Sequence, residues 1–318
     1  MKISHLVPRK FFLSIVALVF LLSCGSQDSK NLFALNTKRP NVENWDVAIF
    51  DNGEGTIKYL TENSAFDWGP TWSPDHKKIL FSTEYLKGEI EEKMVTNPDT
   101  GLMESRIQEI TSDRDIALLD LESKEFTKLT EGNLTDDYPA WSPDGQKIVF
   151  MSERSGWFQI HVMDADGKNV KKLTEEDGEK WKPAWSPDGK KIAFAGNGSG
   201  DWEIYIMNQD GSDLQQVTEV NGHDWGPAWS PDGQKIAFAS NRSGDFEIYV
   251  MDTNGENVKQ LTNTPGVDFE PVWSPDGEKI AFASQQSGET YVSIMTADGE
   301  IIEPKFLSGI PSDWILSD

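Results

Sequence analysis

The chain has 318 residues, including 12 Trp and 16 Pro, and carries a formal charge of −24. That acidity excludes a nucleic-acid partner, which needs basic surface to displace counterions from phosphates, and reads as a solvated acidic surface. A single cysteine, Cys24, excludes an intramolecular disulfide.

In chain order, Lys2, Arg9 and Lys10 make a basic leader, and Phe11 to Leu22 form an apolar run of secretory length. The run is too short for a confident membrane span. It ends in Leu21-Leu22-Ser23-Cys24 before Gly25. This resembles the lipobox of bacterial lipoproteins, in which the cysteine becomes lipidated and forms the mature N-terminus. The expected division is a signal peptide over 1–23, a lipidated tether over 24–30 and one domain over 31–318. Removing the three leader cations takes the mature charge from −24 to −27.

The domain is built on a repeated phrase, P-x-W-S-P-D-G-x-K-I-A-F. Its copies carry Trp72, Trp141, Trp185, Trp229 and Trp273, the last four 44 residues apart and the first interval 69. A fixed period in this range is the mark of a repeat architecture. Each repeat reads as four strands. The inner one ends at W-S, and P-D-G makes a tight turn in which Pro presets φ and Gly supplies a positive φ. An apolar strand follows, as in Lys235-Ile236-Ala237-Phe238. A polar link leads to an alternating strand, as in Phe246 to Met251, and a second turn to a short strand ending in Leu261-Thr262. Four antiparallel strands per 40–45 residues predict a β-propeller blade.

The long first interval holds an insertion of 25 residues at about 85–110, read as either a helical excursion or a disordered loop. The two ends complete one another. Asn31 to Leu35 matches a second strand, Trp45 to Phe50 a third and Ile57 to Thr61 a fourth, so a first strand is missing. Ser312 to Asp318 supplies it, with Asp313-Trp314 aligned on Asp224-Trp225. The spacing therefore predicts an all-β, six-bladed propeller of four-stranded antiparallel blades, closed by a C-terminal strand joining three N-terminal strands. Closure protects the sheet edges that an open ring leaves unpaired.

The repeats resemble the propeller domain of TolB and its relatives, built on WSPDGxKIAF…SGxxxIYxMxxDGxxxxxLT. The resemblance covers almost all of the expected mature chain. It implies a TolB-like envelope propeller; TolB itself interacts with the peptidoglycan-associated lipoprotein in a Tol-Pal role. TolB also carries an α/β domain before its propeller, whereas here Cys24 to Lys30 precede the first strand.

Strand order separates two faces. The P-D-G and third-to-fourth turns share one; the second-to-third links and the inter-blade connections share the other. On the second face the candidate binding residues are an acidic-aromatic set: Asp67 with Trp68, Asp137 with Tyr138, Asp224 with Trp225, Asp268 with Phe269, and Trp314. Trp181 follows Lys180, and Arg154 and Arg242 come from the links. Aromatics give large contact area at small entropy cost, so a six-member ring at the channel mouth is expected; the structural reading is that the same rings wedge between blades. The W-S-P tryptophans are assigned to inter-blade core. The N-terminal segment enters on the short-turn face, and seven residues from Cys24 reach about 25 Å at roughly 3.5 Å each. The lipid is therefore expected to hold that face toward the membrane and present the aromatic face away from it.

No catalytic signature emerges. Among the histidines, His5 lies in the leader, and His76, His161 and His223 lack metal-ligand spacing; there is no G-x-S-x-G elbow. Lys180, His161, His223 and Arg154 are the departures from the repeat that could mark a pocket. The expectation is a monomeric, non-enzymatic module with no cofactor and no bound metal, lipid-anchored in the bacterial envelope, probing a protein or peptide partner; the alternative is a polysaccharide-binding or polysaccharide-degrading propeller protein. The outer membrane is the expected location, on its periplasmic or its surface side.

Overall fold

The computed structural model describes residues 30–39, 44–62, 65–84, 93–96, 103–106, 113–175 and 177–317. The expected signal peptide, Cys24 and all of the tether except Lys30 lie outside them.

The first three strands are β1 (Lys30–Lys38), β2 (Trp45–Asp51) and β3 (Thr56–Tyr59). Blade 1 follows with β4 (Asp67–Trp72) and β5 (Lys78–Thr83), the excursion β6 (Lys93–Thr96) and β7 (Met103–Arg106), then β8 (Asp115–Asp120) and β9 (Phe126–Lys128). Blade 2 is β10 (Asp136–Trp141), β11 (Lys147–Ser152), β12 (Gln159–Asp164) and β13 (Lys171–Lys172). Blade 3 is β14 (Lys180–Trp185), β15 (Lys191–Gly196), β16 (Glu203–Asn208) and β17 (Gln215–Gln216). Blade 4 is β18 (Asp224–Trp229), β19 (Lys235–Ser240), β20 (Glu247–Asp252) and β21 (Lys259–Gln260). Blade 5 is β22 (Val267–Trp273), β23 (Lys279–Gln286), β24 (Glu289–Thr296) and β25 (Ile301–Ser308), and the chain ends in β26 (Ile310–Ser317).

Each blade is a four-stranded antiparallel sheet, and blade 6 has the order β26-β1-β2-β3. The closure expected from the sequence is therefore present. The insertion is neither a helix nor a loop throughout: β6 and β7 pair with each other and with no blade strand.

There is no central core. Apolar side chains form six clusters, one in each wedge between neighbouring blades. The second strands are buried on both faces, with Phe81, Phe150, Phe194, Phe238 and Phe282 fully buried, which is why those segments read as continuous apolar runs rather than alternating ones. Each wedge takes one tryptophan from the W-S-P position of an inner strand: Trp72, Trp185, Trp273 and Trp314 are buried members, and Trp141 and Trp229 pack from the rim, with Trp181 and Trp202 added in two of the wedges. The indole N–H groups of Trp229 and Trp273 donate to the carbonyls of Ala184 and Ala228 in the preceding inner strand, at 3.1 and 3.2 Å.

The wedge occupied by Trp314 corrects its alignment. Trp229 pairs with Ile236, which pairs with Met251, the residue before the end of β20. Trp314 pairs with Phe33, which pairs with Phe50, the residue before the end of β2. Trp314 thus occupies the W-S-P position, and Ile310 takes the place of Trp225. The C-terminal strand has Ser312 where the other blades carry the proline two residues before the tryptophan, so matching Asp313-Trp314 to Asp224-Trp225 shifts it by four residues.

A candidate binding cavity in the channel

The acidic residues Asp67, Asp136, Asp224 and Asp268 begin the inner strands and are at most 2% exposed. Two of them neutralise link arginines. Arg154 Nη2 donates to Asp136 Oδ2 at 2.6 Å and Arg242 Nη2 to Asp224 Oδ2 at 2.7 Å, while the Nε atoms donate to Ser152 and Ser240. Arg242 also lies over Phe238 and Tyr249. Both arginines named as binding candidates are therefore tied into the fold. Arg242→Ala leaves a buried carboxylate without its cation, a loss of about 3 kcal/mol where removal of one partner of a buried pair costs 3–5. Thermal melts should show that loss, with more than half recovered by adding Asp224→Asn; no recovery would place the cost in lost packing of the arginine instead.

Blade 3 inverts this arrangement through three coordinated changes. Lys180 stands in the aspartate position, 1% exposed, and its Nζ reaches Asp177 at 2.6 Å and the Gly178 carbonyl at 3.2 Å. Gly196 replaces the serine, where a Cβ would stand 2.9 Å from Lys180 Cδ, and Gly198 replaces the arginine. His161 is likewise absorbed: it packs on Phe150 as Tyr205 does on Phe194, its Nδ1 meets the Gln159 carbonyl at 3.0 Å, and burial lowers its pKa. His223 Nδ1 accepts from the Trp202 N–H. The four expected departures from the repeat are packing solutions.

The aromatics divide. Trp68 meets Trp45 edge-on at 5.7 Å, and Trp181 meets Phe158, Trp202 and Trp225 at 5.8, 5.3 and 5.4 Å. These rings, with half-buried Phe269 packed on the blade 4–5 cluster, wedge adjacent blades. Tyr138 does not belong to this set. Asp137 pairs with Met151 as Trp225 pairs with Ala239, so Asp137 occupies the aromatic position and Tyr138 the next one. Asp137 is buried against Arg114, and burial raises its pKa.

That next position, immediately before the first proline of the phrase, is where the blades differ. It is Gly69, Tyr138, Lys182, Gly226 and Glu270 in blades 1 to 5, each at a φ between 49° and 61° inside a β-bulge. A bulge at this point turns the side chain toward the channel. Lys182 crosses in front of blade 4 and pairs with Glu270 of blade 5. The crossing needs Gly226, where a Cβ would stand 3.3 Å from Lys182 Nζ. Tyr138 lies over Gly69 and carries Lys182 Nζ 5.9 Å from its ring centroid. Two glycines thus make room for a polar crossbar. Burial pushes the Lys182 amine down to about 7 and the Tyr138 phenol up to about 12, while the Glu270 carboxylate acts on Lys182 in the opposite sense and favours the cation.

Between this crossbar and the W-S-P turns lies a cavity of about 520 Å³. Its wall is made by the six tryptophans of the W-S-P position together with Trp68, by small residues such as Ala140, Ala184 and Ala228, and by the turn prolines Pro143, Pro187, Pro231 and Pro275. It opens on the short-turn face, opposite the face on which the sequence places the variable loops. The rim is stiff. In each turn the serine hydroxyl donates to the aspartate, as Ser230 does to Asp232 at 2.6 Å, and accepts from the lysine N–H. A Cβ on Gly145, Gly189, Gly233 or Gly277 would stand 3.7 Å from the proline of the preceding blade, so the turns interlock. His76 replaces the glycine only in blade 1, where the preceding blade 6 has no such turn, and reaches the cavity edge-on to Trp72.

Among the described residues no three His, Cys, Asp or Glu side chains converge as a metal site. The model of the TolB β-propeller domain family matches residues 97–218 and 157–309, together about two thirds of the chain. The chain belongs to the TolB β-propeller family. TolB from Acinetobacter baumannii superposes with a TM-score of 0.68 at 23% identity, over 90% of this chain and 66% of that one. A TolB-type protein from Agrobacterium tumefaciens gives 0.68 at 22% identity, over 89% and 91%. An oligogalacturonate lyase in complex with manganese gives 0.57 at 17%, over 82% and 70%. At these identities the likeness is one of fold. This TolB-type propeller spans about two thirds of the first of those proteins. Its channel residues were legible in principle: aligned on the tryptophan, the repeats read GPTW, YPAW, KPAW, GPAW and EPVW, and the first column is the crossbar.

Proposed function

We propose that this protein is a lipid-anchored module of the bacterial cell envelope that binds a protein or peptide partner without catalysis, through the channel cavity. The observation that carries this reading is the crossbar. Five blades repeat their packing residues closely, yet Tyr138, Lys182 and Glu270 break the repeat at one level of the channel and close the floor of an aromatic-walled cavity. Such a cavity, with a rigid rim, suits a segment of a partner that supplies apolar and polar groups together. Family membership supports an envelope role.

The cavity also shares a face with the start of the fold. Lys30 pairs with Ser317 at the end of β26, one residue beyond Leu316 of the cavity wall. A lipid on Cys24 would then hold the cavity toward the membrane, and the partner would be met between propeller and bilayer. A photo-crosslinking residue at Ala228, in the cavity, should capture a partner in intact membranes, whereas the same residue at Trp157, exposed on the opposite face, should not. Capture from Trp157 alone would move the site to the acidic-aromatic face, and turnover of an oligosaccharide by the purified protein would overturn the non-enzymatic reading.

A further inference from the structure

The cavity wall is interrupted by one carboxylate that the crossbar leaves unpaired. Asp313 stands where the other inner strands carry Thr71, Ala140, Ala184, Ala228 and Val272, as pairing with Ala34 in the closing strand shows. It lines the cavity at the seam between blades 6 and 1. Its Oδ2 accepts from the backbone N–H of Trp72 and its Oδ1 from the backbone N–H of Trp314, both at 2.8 Å, so two main-chain amides fix the carboxylate across the seam, beside the two indoles that line the cavity. Among the described residues no lysine or arginine forms an ion pair with it. The one ammonium in the cavity, on Lys182, belongs to Glu270, and His76 is the only other basic group in the wall.

We propose that Asp313, flanked by Trp72 and Trp314, is the recognition point for a cationic side chain, lysine or arginine, on a peptide segment inserted into the cavity. The inference rests on the reading of the cavity as a peptide site. Three features argue for a cation. Aromatic faces attract ammonium and guanidinium groups. No described lysine or arginine is paired with this carboxylate, and burial raises the Asp313 pKa against the smaller opposing effects of the two N–H groups it accepts from and of His76, so a cationic ligand would supply the partner that the wall provides only weakly. The chain as a whole is acidic; at the rim, exposed Asp75, Asp144, Asp188 and Asp232 have their pKa values lowered by the serine hydroxyls and backbone N–H groups that they accept from, with lysines beside them, Lys190 pairing with Asp188. The net charge of −24, and not the rim by itself, favours the encounter of a basic segment.

The test uses the full chain, solubilised in detergent at neutral pH, against an immobilised library of random 12-residue peptides. Wild type should retain peptides enriched in Lys or Arg at one position. Asp313→Asn, which keeps an acceptor for one N–H, and Asp313→Ala, the residue that three other blades carry, should each weaken the selected peptides at least tenfold. Binding to wild type should shift tryptophan emission, because Trp72 and Trp314 line the cavity. Melting curves of both variants establish that they are folded, and the blades with alanine make Asp313→Ala the safer of the two. Retained peptides with no basic preference, or equal affinity for the folded variants, would overturn the inference and leave the peptide-binding reading standing. Retention of no peptide by any form would overturn both.

Discussion

Removing residues 312–318 should abolish cooperative folding near the wild-type melting temperature, by a drop of 15 °C or more or by aggregation. The segment belongs to both seams of blade 6. Trp314 fills the blade 5–6 wedge against Phe33 at 4.5 Å, and its Nε1 donates to Asn31 at 2.9 Å; Ile315 fills the blade 6–1 wedge. Asp313 accepts the Trp72 N–H across the second seam. Truncating a buried Trp costs about 3–5 kcal/mol and a buried Ile about 2–5. Their sum is comparable with the roughly 5–15 kcal/mol that holds a whole domain, before the lost pairing along β1 is added. The insertion supplies the contrast. β6 and β7 pair only with each other, so deleting residues 86–109 should leave the melting temperature within about 2 °C, on the scale where 1 kcal/mol moves it by 2–4 °C. A wild-type melt for the truncated chain would mean that the C-terminal strand does not close the ring.

The period of the W-S-P phrase made the architecture readable, because each blade must solve the same packing problem with the same residues. The count of blades, the pairing of the two termini and the burial of the phrase tryptophans all follow from that spacing. What spacing does not carry is side-chain direction at an irregularity. The bulge before the first proline adds one residue to the inner strand, so neighbours in sequence point to different places: Trp181 wedges blades while Lys182 enters the channel. Residue type alone groups Tyr138 with the wedging aromatics, although it stands one place further on. Trp314 was misplaced for a related reason, since β26 has no W-S-P turn to set its register. The insertion's strands, Lys93–Thr96 and Met103–Arg106, are four residues each and lack the alternation that marks the blade strands. The cavity opens on the face opposite the acidic-aromatic set, where part of the variability between repeats is compensating packing such as Lys180 with Gly196 and Gly198.

The crossbar should reveal itself through pH. In the wild type Glu270 faces Lys182, with side chains 19% and 24% exposed, and a carboxylate in contact favours the charged amine. Glu270→Gln removes that charge while keeping the shape, and burial then acts alone, with Lys182 titrating at about 7 in the folded chain. Unfolded, the amine titrates near its ordinary 10.5. Between those values the unfolded chain binds more protons than the folded one, so the variant's stability must rise with pH across that window. The gap corresponds to at most roughly 5 kcal/mol at 1.36 kcal/mol per pH unit, and a few kcal/mol are expected once partial exposure is allowed for. Denaturant melts of both proteins at pH 6, 8 and 10 should show the variant well below wild type at pH 6 and approaching it at pH 10. Apart from Glu270 itself, every other titrating group is common to the two chains, so the difference between the curves reports on the Lys182–Glu270 pair. The exchange Lys182→Glu with Glu270→Lys should restore a curve parallel to wild type, since it rebuilds the pair across Gly226. Parallel curves for wild type and Glu270→Gln would mean that the amine reaches water and that no ion pair spans the channel.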